Sequence, residues 1–169
     1  MKKTIYTCLT LSISFFAYAG GNPEYVQYPA EYKSEFTAYD TRNRNNGKQI
    51  AVMYANKAAI DSAQASELAE GSKIIMEIYK AKLGEDDKPV VGSDGIFEKG
   101  KFAAIAVMEK RSNWDAAFDA KHRSGNWAYA IYNTDGSPKE NNLECVTCHM
   151  PYQQTEYMFS HSSLVEFTK

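Results

Sequence analysis

The sequence predicts an α+β fold built on a mostly antiparallel β-sheet of about four or five strands, with flanking helices and a C-terminal Cys-x-x-Cys-His segment. Three observations lead to this prediction. Four segments carry side chains that alternate with a period of two, which is typical of strands. An alanine-rich segment without proline or glycine separates the first two and favours a helix. A turn-rich loop with four glycines, residues 83–101, separates the second strand from the third and could itself form a hairpin.

The N-terminal half is predicted to contain two helices and two strands after an irregular lead-in. Residues 31–39, EYKSEFTAY, carry two aromatic side chains four positions apart, which indicates a short amphipathic helix. Residues 48–56, KQIAVMYAN, alternate as a strand, and the alanine-rich residues 57–69 follow as a helix. Residues 72–82, SKIIMEIYKAK, alternate as the second strand, so that neighbouring side chains point to opposite faces of the sheet.

The C-terminal half is predicted to continue the sheet and to end in the cysteine motif. Residues 102–110, FAAIAVMEK, form a third strand, and residues 112–120, SNWDAAFDA, a short helix capped by serine or asparagine. Residues 125–133, GNWAYAIYN, form a fourth strand with alanines on one face, and this face could admit a helix or the edge of a bulky group. The cysteine motif follows in a short helix.

The first nineteen residues, MKKTIYTCLTLSISFFAYA, are typical of a secretory signal peptide. Two lysines precede an apolar run that is too short to span a bilayer, and a small-x-small cleavage site ends at Ala19. The polar residues directly after it argue against an uncleaved membrane anchor. We therefore expect cleavage near Ala19–Gly20, export to the periplasm, and a single mature domain over residues 20–169.

The charge of the chain argues against a nucleic-acid partner. Nineteen Lys and Arg stand against 21 Asp and Glu, and the signal peptide contains two of the lysines and no acidic residue. The mature chain is therefore more acidic than the whole, whereas a nucleic-acid partner requires a basic face. No membrane association is expected after cleavage, because no further apolar run is long enough for a span.

The most informative motif is ECVTCHMPY, which contains Cys145, Cys148 and His149. Cys8 belongs to the signal peptide, so these two are the cysteines of the mature chain. A disulfide across so short a loop would stabilise little, and zinc would need two more ligands at a recognisable spacing. A thioredoxin-type redox pair usually opens a helix near the start of a βαβ unit. Two thiols followed at once by a histidine instead suit one covalently bound haem c, with His149 as the iron ligand.

Four stretches, in the same order, resemble the cytochrome P-460 and cytochrome c′-beta family. They are AVMYANKAAI, EGSKIIMEIYKA, VMEK with GNWAYAIYN, and CVTCH with YMFS, and all of them lie within residues 48–160. The resemblance implies a mostly antiparallel sheet with helices, usually as a homodimer. It also implies a haem whose iron is bound by His149 and is open on the other side to a small gaseous or nitrogenous ligand, and it leaves room for a redox partner protein.

By this resemblance, Met76 stands where the hydroxylamine-oxidising members carry a lysine bonded to the porphyrin edge. A thioether cannot form that amine cross-link, so Met76 counts against the same chemistry here. It could instead be an ordinary core side chain, line the haem, or bind the iron as a sixth ligand. Lys80, on the same strand face, is either a stand-in for the missing lysine or a solvated side chain at the end of the strand.

Three further residues are candidates for the distal side of the haem. Glu140 lies about five residues before the first cysteine, where enzymatic members place a carboxylate that could accept a proton from a bound nitrogen ligand. It also suits a solvated position in a polar loop. Phe97 and Phe102 are candidates for the aromatic cap that, in the c′-beta branch, admits only small uncharged ligands such as nitric oxide. Both would also serve as ordinary core aromatics.

Three functions follow, which the sequence ranks. The first is a five-coordinate haem that binds nitric oxide or a similar small ligand. The second is oxidation of hydroxylamine, which Met76 disfavours and Glu140 supports. The third is electron transfer, which requires a sixth ligand such as Met76. Whether the protein is an enzyme stays open; as an enzyme it would be an oxidoreductase acting on hydroxylamine or nitric oxide.

Overall fold

The computed structural model describes residues 21–140 and 143–169. The expected signal peptide, residues 1–19, lies outside the described residues. Within them, one antiparallel sheet consists of β1 (Thr37–Asn43), β2 (Gln49–Ala55), β3 (Lys73–Ala81), β4 (Lys99–Lys110) and β5 (Trp127–Tyr132). The strands lie in the order β1-β2-β3-β4-β5, so each pairs with the next along the chain. The predicted α+β fold with an antiparallel sheet is therefore confirmed.

Short helices flank this sheet in the described part of the chain. The α-helices are α1 (Tyr32–Glu35), α2 (Lys57–Ser62), α3 (Cys145–His149) and α4 (His161–Phe167), and two 3₁₀ helices cover Ala120–His122 and Met150–Thr155. The prediction that the cysteine motif lies in a short helix is confirmed by α3. No helix of the described residues is both long and apolar enough to cross a membrane.

The helix predicted over residues 31–39 is wrong in its second half. Only α1 is helical, and the backbone becomes extended at Phe36, with φ −107° and ψ 150°. Thr37 then pairs with Ala55, which begins β1, an edge strand that the sequence analysis does not predict. One pair of aromatic residues four positions apart does not distinguish a helix of nine residues from a single helical turn followed by a strand.

Two other predicted helices are shorter than expected because side chains compete for backbone groups. In residues 57–69, α2 ends at Ser62, whose hydroxyl accepts the N–H of Ala69 at 2.8 Å and so folds the chain back. Residues 112–120 form no α-helix, and only Ala120 lies in a helix, the 3₁₀ helix Ala120–His122. The Asp115 carboxylate accepts the backbone N–H two residues further on, at 2.8 Å, which stabilises a turn instead.

The sheet has two faces with separate cores. The motif face, aligned across the strands, carries Met53, Met76, Ala106 and Ile131. It packs against the segment that contains α3 and α4, through Met158 and Leu164 among others. The back face carries Ile75, Ile105, Val107, Ala128, Ala130 and Tyr132, and is covered by Val26, Tyr32 and Phe118.

The alanines of β5 lie on the back face, where they accommodate the N-terminal segment. The N–H of Asn22 donates to the carbonyl of Tyr129 at 2.8 Å, and a Cβ at Gly21 would lie 2.4 Å from that oxygen. Gly21 also has φ +100°, which favours glycine. This face is thus covered by the chain around Gly21, by Val26 and by Tyr32 of the short helix α1, so the expected helix contact is present and the N-terminal segment occupies the rest.

The back face also buries one carboxylate. Glu77 is 1% exposed, and its oxygens accept hydrogen bonds from the hydroxyls of Tyr32, Tyr54 and Tyr79 at 2.5, 3.0 and 3.1 Å. Lys33 forms an ion pair with the same carboxylate. Burial alone would raise the pKa of Glu77, but the hydrogen bonds from Lys33 and Tyr32 outweigh it and hold the pKa below its usual value.

This arrangement predicts a pH-dependent loss of stability. Because the folded-state pKa of Glu77 is lowered, its ionised carboxylate contributes fully above the unfolded pKa of about 4.3 and loses that contribution as pH falls through the folded pKa. Glu77→Gln should lower the free energy of unfolding by about 1–3 kcal/mol at neutral pH. The difference in the free energy of unfolding between the wild type and Glu77→Gln should become smaller in acid, as measured by urea denaturation between about pH 7 and pH 3. Glu35→Gln, at an exposed position, serves as control, and a difference that does not change with pH would contradict the prediction.

Candidate haem site

Both cysteines of the motif lie on α3. The N–H of Cys148 donates to the carbonyl of Glu144 at 2.9 Å, which closes the turn. Both thiols are free, with Cys145 half-buried and Cys148 exposed. Burial, and then the neighbouring Cys148, raises the pKa of the Cys145 thiol to about 11, so this thiol is protonated at neutral pH. Two free thiols three positions apart on one helix face can reach the same planar group.

His149, the last residue of α3, has one ring nitrogen fixed and the other available. Its Nδ1 lies 2.5 Å from the carbonyl oxygen of Tyr157. A carbonyl can only accept, so Nδ1 carries the proton and Nε2 carries the lone pair that an iron requires. Burial lowers the pKa of the imidazole and outweighs the opposite effect of the Tyr157 hydrogen bond, which favours the neutral form. The Tyr157 carbonyl is the acceptor that the sequence analysis does not identify.

Two aromatic rings hold the imidazole in place. The ring centroids of His149 and Tyr129 are 4.5 Å apart, and those of His149 and Phe159 are 4.8 Å apart at an interplanar angle of 71°. Tyr129 comes from the motif face of β5, and Phe159 precedes α4. The imidazole is thus oriented by a hydrogen bond and by packing, as the neighbours of a metal-binding histidine commonly orient its ring.

An apolar surface of the sheet lies beside the motif. Cys145 packs against a cluster on the motif face that contains Ile78, Ala104 and Ile131, with Met76 and Ala106 partly buried against it. This surface borders α3, because Cys145 packs against it.

These features fit a haem at the motif. The donor set is two free thiols and one neutral imidazole with a free Nε2, on a single short helix. Among the described residues no group of three or more His, Cys, Asp and Glu side chains could hold a metal ion, whereas a haem iron needs only one protein nitrogen. The apolar motif face would contact the macrocycle, and His149 would hold the iron.

The comparison with protein families agrees with this geometry. The family model described as Cytochrome P460 matches residues 29–160. The chain belongs to the cytochrome P460 family. The match covers all five strands and α3, and it supports a haem cofactor and an iron-binding cytochrome. A comparison with curated proteins found no significant match to the chain.

Of the candidate positions named from the family resemblance, Met76 is the one that packs against the same apolar cluster as Cys145. Phe102 lies on the back face, where its ring stacks on Tyr79 with centroids 4.8 Å apart. Simple alternation would put Phe102 on the motif face with Ala104. A β-bulge shifts the register between them and turns Phe102 to the other side. The structure therefore does not bring Phe102 to the cytochrome P460 site.

In the part of the chain that the structure describes, no hydrogen bond, ion pair or ring contact links the side chains of Phe97, Glu140 or Lys80 to the motif. Phe97 lies in the loop between β3 and β4, where its N–H donates to the side-chain oxygen of Asn43 at 2.8 Å. Glu140 is exposed and is the last residue of the first described range, residues 21–140. Lys80 is exposed at the end of β3, as expected of a solvated lysine. Their proposed roles at the haem stay predictions.

Several residues of the site were not assigned a role from the sequence. These are Tyr129 and Phe159, which contact the His149 ring, and Tyr157, whose carbonyl binds it. The stretches GNWAYAIYN and YMFS, which carry the family resemblance, contain all three. The signal was therefore present in the sequence as a pattern, but it did not indicate what each residue does.

Proposed function

We propose that the protein is an exported c-type cytochrome that carries one haem c, attached through Cys145 and Cys148. In this proposal His149 binds the iron on one side, and the opposite side is open for nitric oxide or a similar small nitrogen ligand. When bound, the haem supplies an iron with that free coordination position. The observation that carries the proposal is that Met76 packs against the same apolar cluster as Cys145, at the position where the family resemblance expects a cross-linking lysine in hydroxylamine-oxidising members.

The covalent attachment follows from the chemistry of the two thiols. Each S–H adds across a vinyl double bond, so that one thioether forms per cysteine, nothing is oxidised, and no group leaves. Cys145 and Cys148 are both free, and their spacing on α3 points them in one direction. His149 follows directly and presents its unprotonated Nε2, so a single helix would provide both the attachment and the iron ligand.

The side chains around Met76 favour a small uncharged ligand. They are Ile78, Ala104, Ala106 and Ile131. Such a surface excludes water and would leave a charged ligand without a partner, at a cost of several kcal/mol. The Met76 sulfur has no N–H and cannot form an amine cross-link to the porphyrin. It could bind iron only as a sixth ligand, and the protein would then transfer electrons rather than hold a ligand.

We also propose the setting in which the protein acts. Residues 1–19 would direct export, so the mature protein would lie in the periplasm, where haem c is attached. The family resemblance supports a homodimer and a redox partner protein that supplies or removes electrons at the iron. Separation of the purified protein by size, with and without the haem, would test the homodimer.

The optical spectrum of the purified protein, oxidised and reduced, before and after addition of nitric oxide, tests the proposal. A high-spin spectrum with an ordinary Soret band that changes with nitric oxide supports it. A Soret band shifted far to the red would indicate a modified macrocycle and favour hydroxylamine oxidation. A low-spin spectrum that does not respond to nitric oxide would favour electron transfer. The last two outcomes both contradict the proposal.

A pair of methionine variants assigns the role of Met76 in the same experiment. Met76→Leu should leave the high-spin spectrum unchanged, because the proposal gives the sulfur no bond to iron. Met53→Leu is the matched control, since Met53 is paired with Met76 on the neighbouring strand and lies on the same face. A change from low spin to high spin in Met76→Leu, but not in Met53→Leu, would identify Met76 as an iron ligand and contradict the open site.

A further inference from the structure

The carbonyl that holds His149 belongs to an unusual backbone corner. Glu156 and Tyr157 both have φ 55°, in the left-handed region that residues other than glycine rarely adopt. The corner follows the 3₁₀ helix and points the Tyr157 carbonyl back at Nδ1 of His149. Two consecutive residues in this conformation cost free energy, so contacts elsewhere must stabilise the corner.

The Glu156 side chain supplies one such set of contacts. Its Oε2 accepts a hydrogen bond from Nε1 of Trp127 at 2.9 Å and lies 2.9 Å from Nζ of Lys110. The Lys110 and Glu156 side chains are 8% and 13% exposed, so the ion pair is largely shielded from water. Lys110 and Trp127 are directly paired residues of β4 and β5. The carboxylate is therefore fixed to the end of the sheet.

Two contacts of Tyr157 support the same corner from its other side. The N–H of Tyr157 donates to the carbonyl of Tyr152 at 2.7 Å. The Tyr157 ring lies over Gly125, where a Cβ would approach the ring to 2.9 Å. The corner is thus held by an ion pair at Glu156 and by packing at Tyr157. Of these contacts, the ion pair between Glu156 and Lys110 is the one in which charged groups connect the corner to the sheet.

We propose that Glu156, paired with Lys110 and Trp127, is a positioning residue for the iron ligand. It holds the corner so that the Tyr157 carbonyl accepts the Nδ1 proton of His149, which directs Nε2 at the iron and makes the imidazole a stronger donor. This inference rests on the proposed function, because it takes His149 as the ligand. A stronger donor stabilises ferric over ferrous iron and strengthens the iron–imidazole bond.

The test compares Glu156→Gln with Lys110→Met in the haem-loaded protein. Positioning predicts the same change in both: a lower iron–imidazole stretching frequency in the resonance Raman spectrum of the ferrous protein, and a higher midpoint potential. A pure charge effect predicts opposite changes in potential, because one variant removes a negative and the other a positive charge. Opposite changes in potential, or a stretching frequency equal to that of the wild type in both variants, would overturn the proposal.

Controls separate this inference from the proposed function and from misfolding. Glu67→Gln is the matched control, since Glu67 also approaches Lys110, at 3.5 Å, but is 76% exposed and not part of the corner. It should leave both readouts unchanged. If Lys110→Met does not fold, Glu156→Asp replaces it: positioning predicts a lower frequency although the charge is kept, and an unchanged frequency would overturn the proposal. A wild type without covalent haem or without an iron–imidazole band would overturn the proposed function itself.

Discussion

A variant in which Cys145 and Cys148 are both alanine should lose covalent haem completely. Each cysteine provides one thioether bond, and α3 presents both thiols toward the same group. Without them, haem would be held only by the His149 nitrogen and by contact with the motif face, neither of which survives denaturation. The measurement is haem staining after denaturing electrophoresis, which detects only covalently bound haem. We expect strong staining of the wild type and none of the double variant.

Single variants and a neighbouring substitution make this result specific. Cys145→Ala and Cys148→Ala should each keep one thioether and stain more weakly, and the unreacted vinyl group should shift the optical bands of the reduced protein. Thr147→Ala changes an exposed side chain of the same helix and should stain like the wild type. Staining that survives in the double variant would show that haem is not attached through Cys145 and Cys148, and this would contradict the first step of the proposed function.

The strands of the sheet were predictable from the sequence wherever both faces are buried. β2, β3 and β5 are short, mostly apolar segments rich in strand-forming residues, because each face packs on its own core. β1 was not predictable, because it is an edge strand in which Tyr39 is the one buried residue and the others face solvent or the rim. Such a strand exists because it pairs with β2, and this pairing leaves no apolar pattern in the sequence.

The site was predictable to the extent that its chemistry is local. Covalent attachment and iron ligation require a fixed spacing of Cys145, Cys148 and His149, and that spacing is visible in one short stretch. The Tyr157 carbonyl is a backbone group, so its residue type says nothing about it. The ion pair between Lys110 and Glu156 joins positions 46 residues apart. Side chains that meet only through the fold leave no local signal.

The replacement of His149 by glycine should leave covalent haem in place but remove the nitrogen ligand from the iron. The thioether bonds depend on the cysteines, so haem staining should remain close to that of the wild type. The optical spectrum should change, because the iron would then bind only water or a weaker group. The glycine stands at the last position of α3, where its conformational freedom costs at most about 1 kcal/mol.

Imidazole added to the buffer should restore the wild-type spectrum of this variant in a saturable titration. The glycine leaves a ring-sized gap that borders Tyr129 and Phe159, and the Tyr157 carbonyl remains to accept the N–H of the free imidazole. His122→Gly, at an exposed position, is the control: its spectrum should equal that of the wild type and should not change when imidazole is added. If the His149→Gly protein had the wild-type spectrum before any imidazole was added, another side chain would be the iron ligand, and the geometry around His149 would have a purely structural role. Recovery only with imidazole would instead show that α3 and the corner at Tyr157 define the position of the iron ligand even when the His149 side chain is absent.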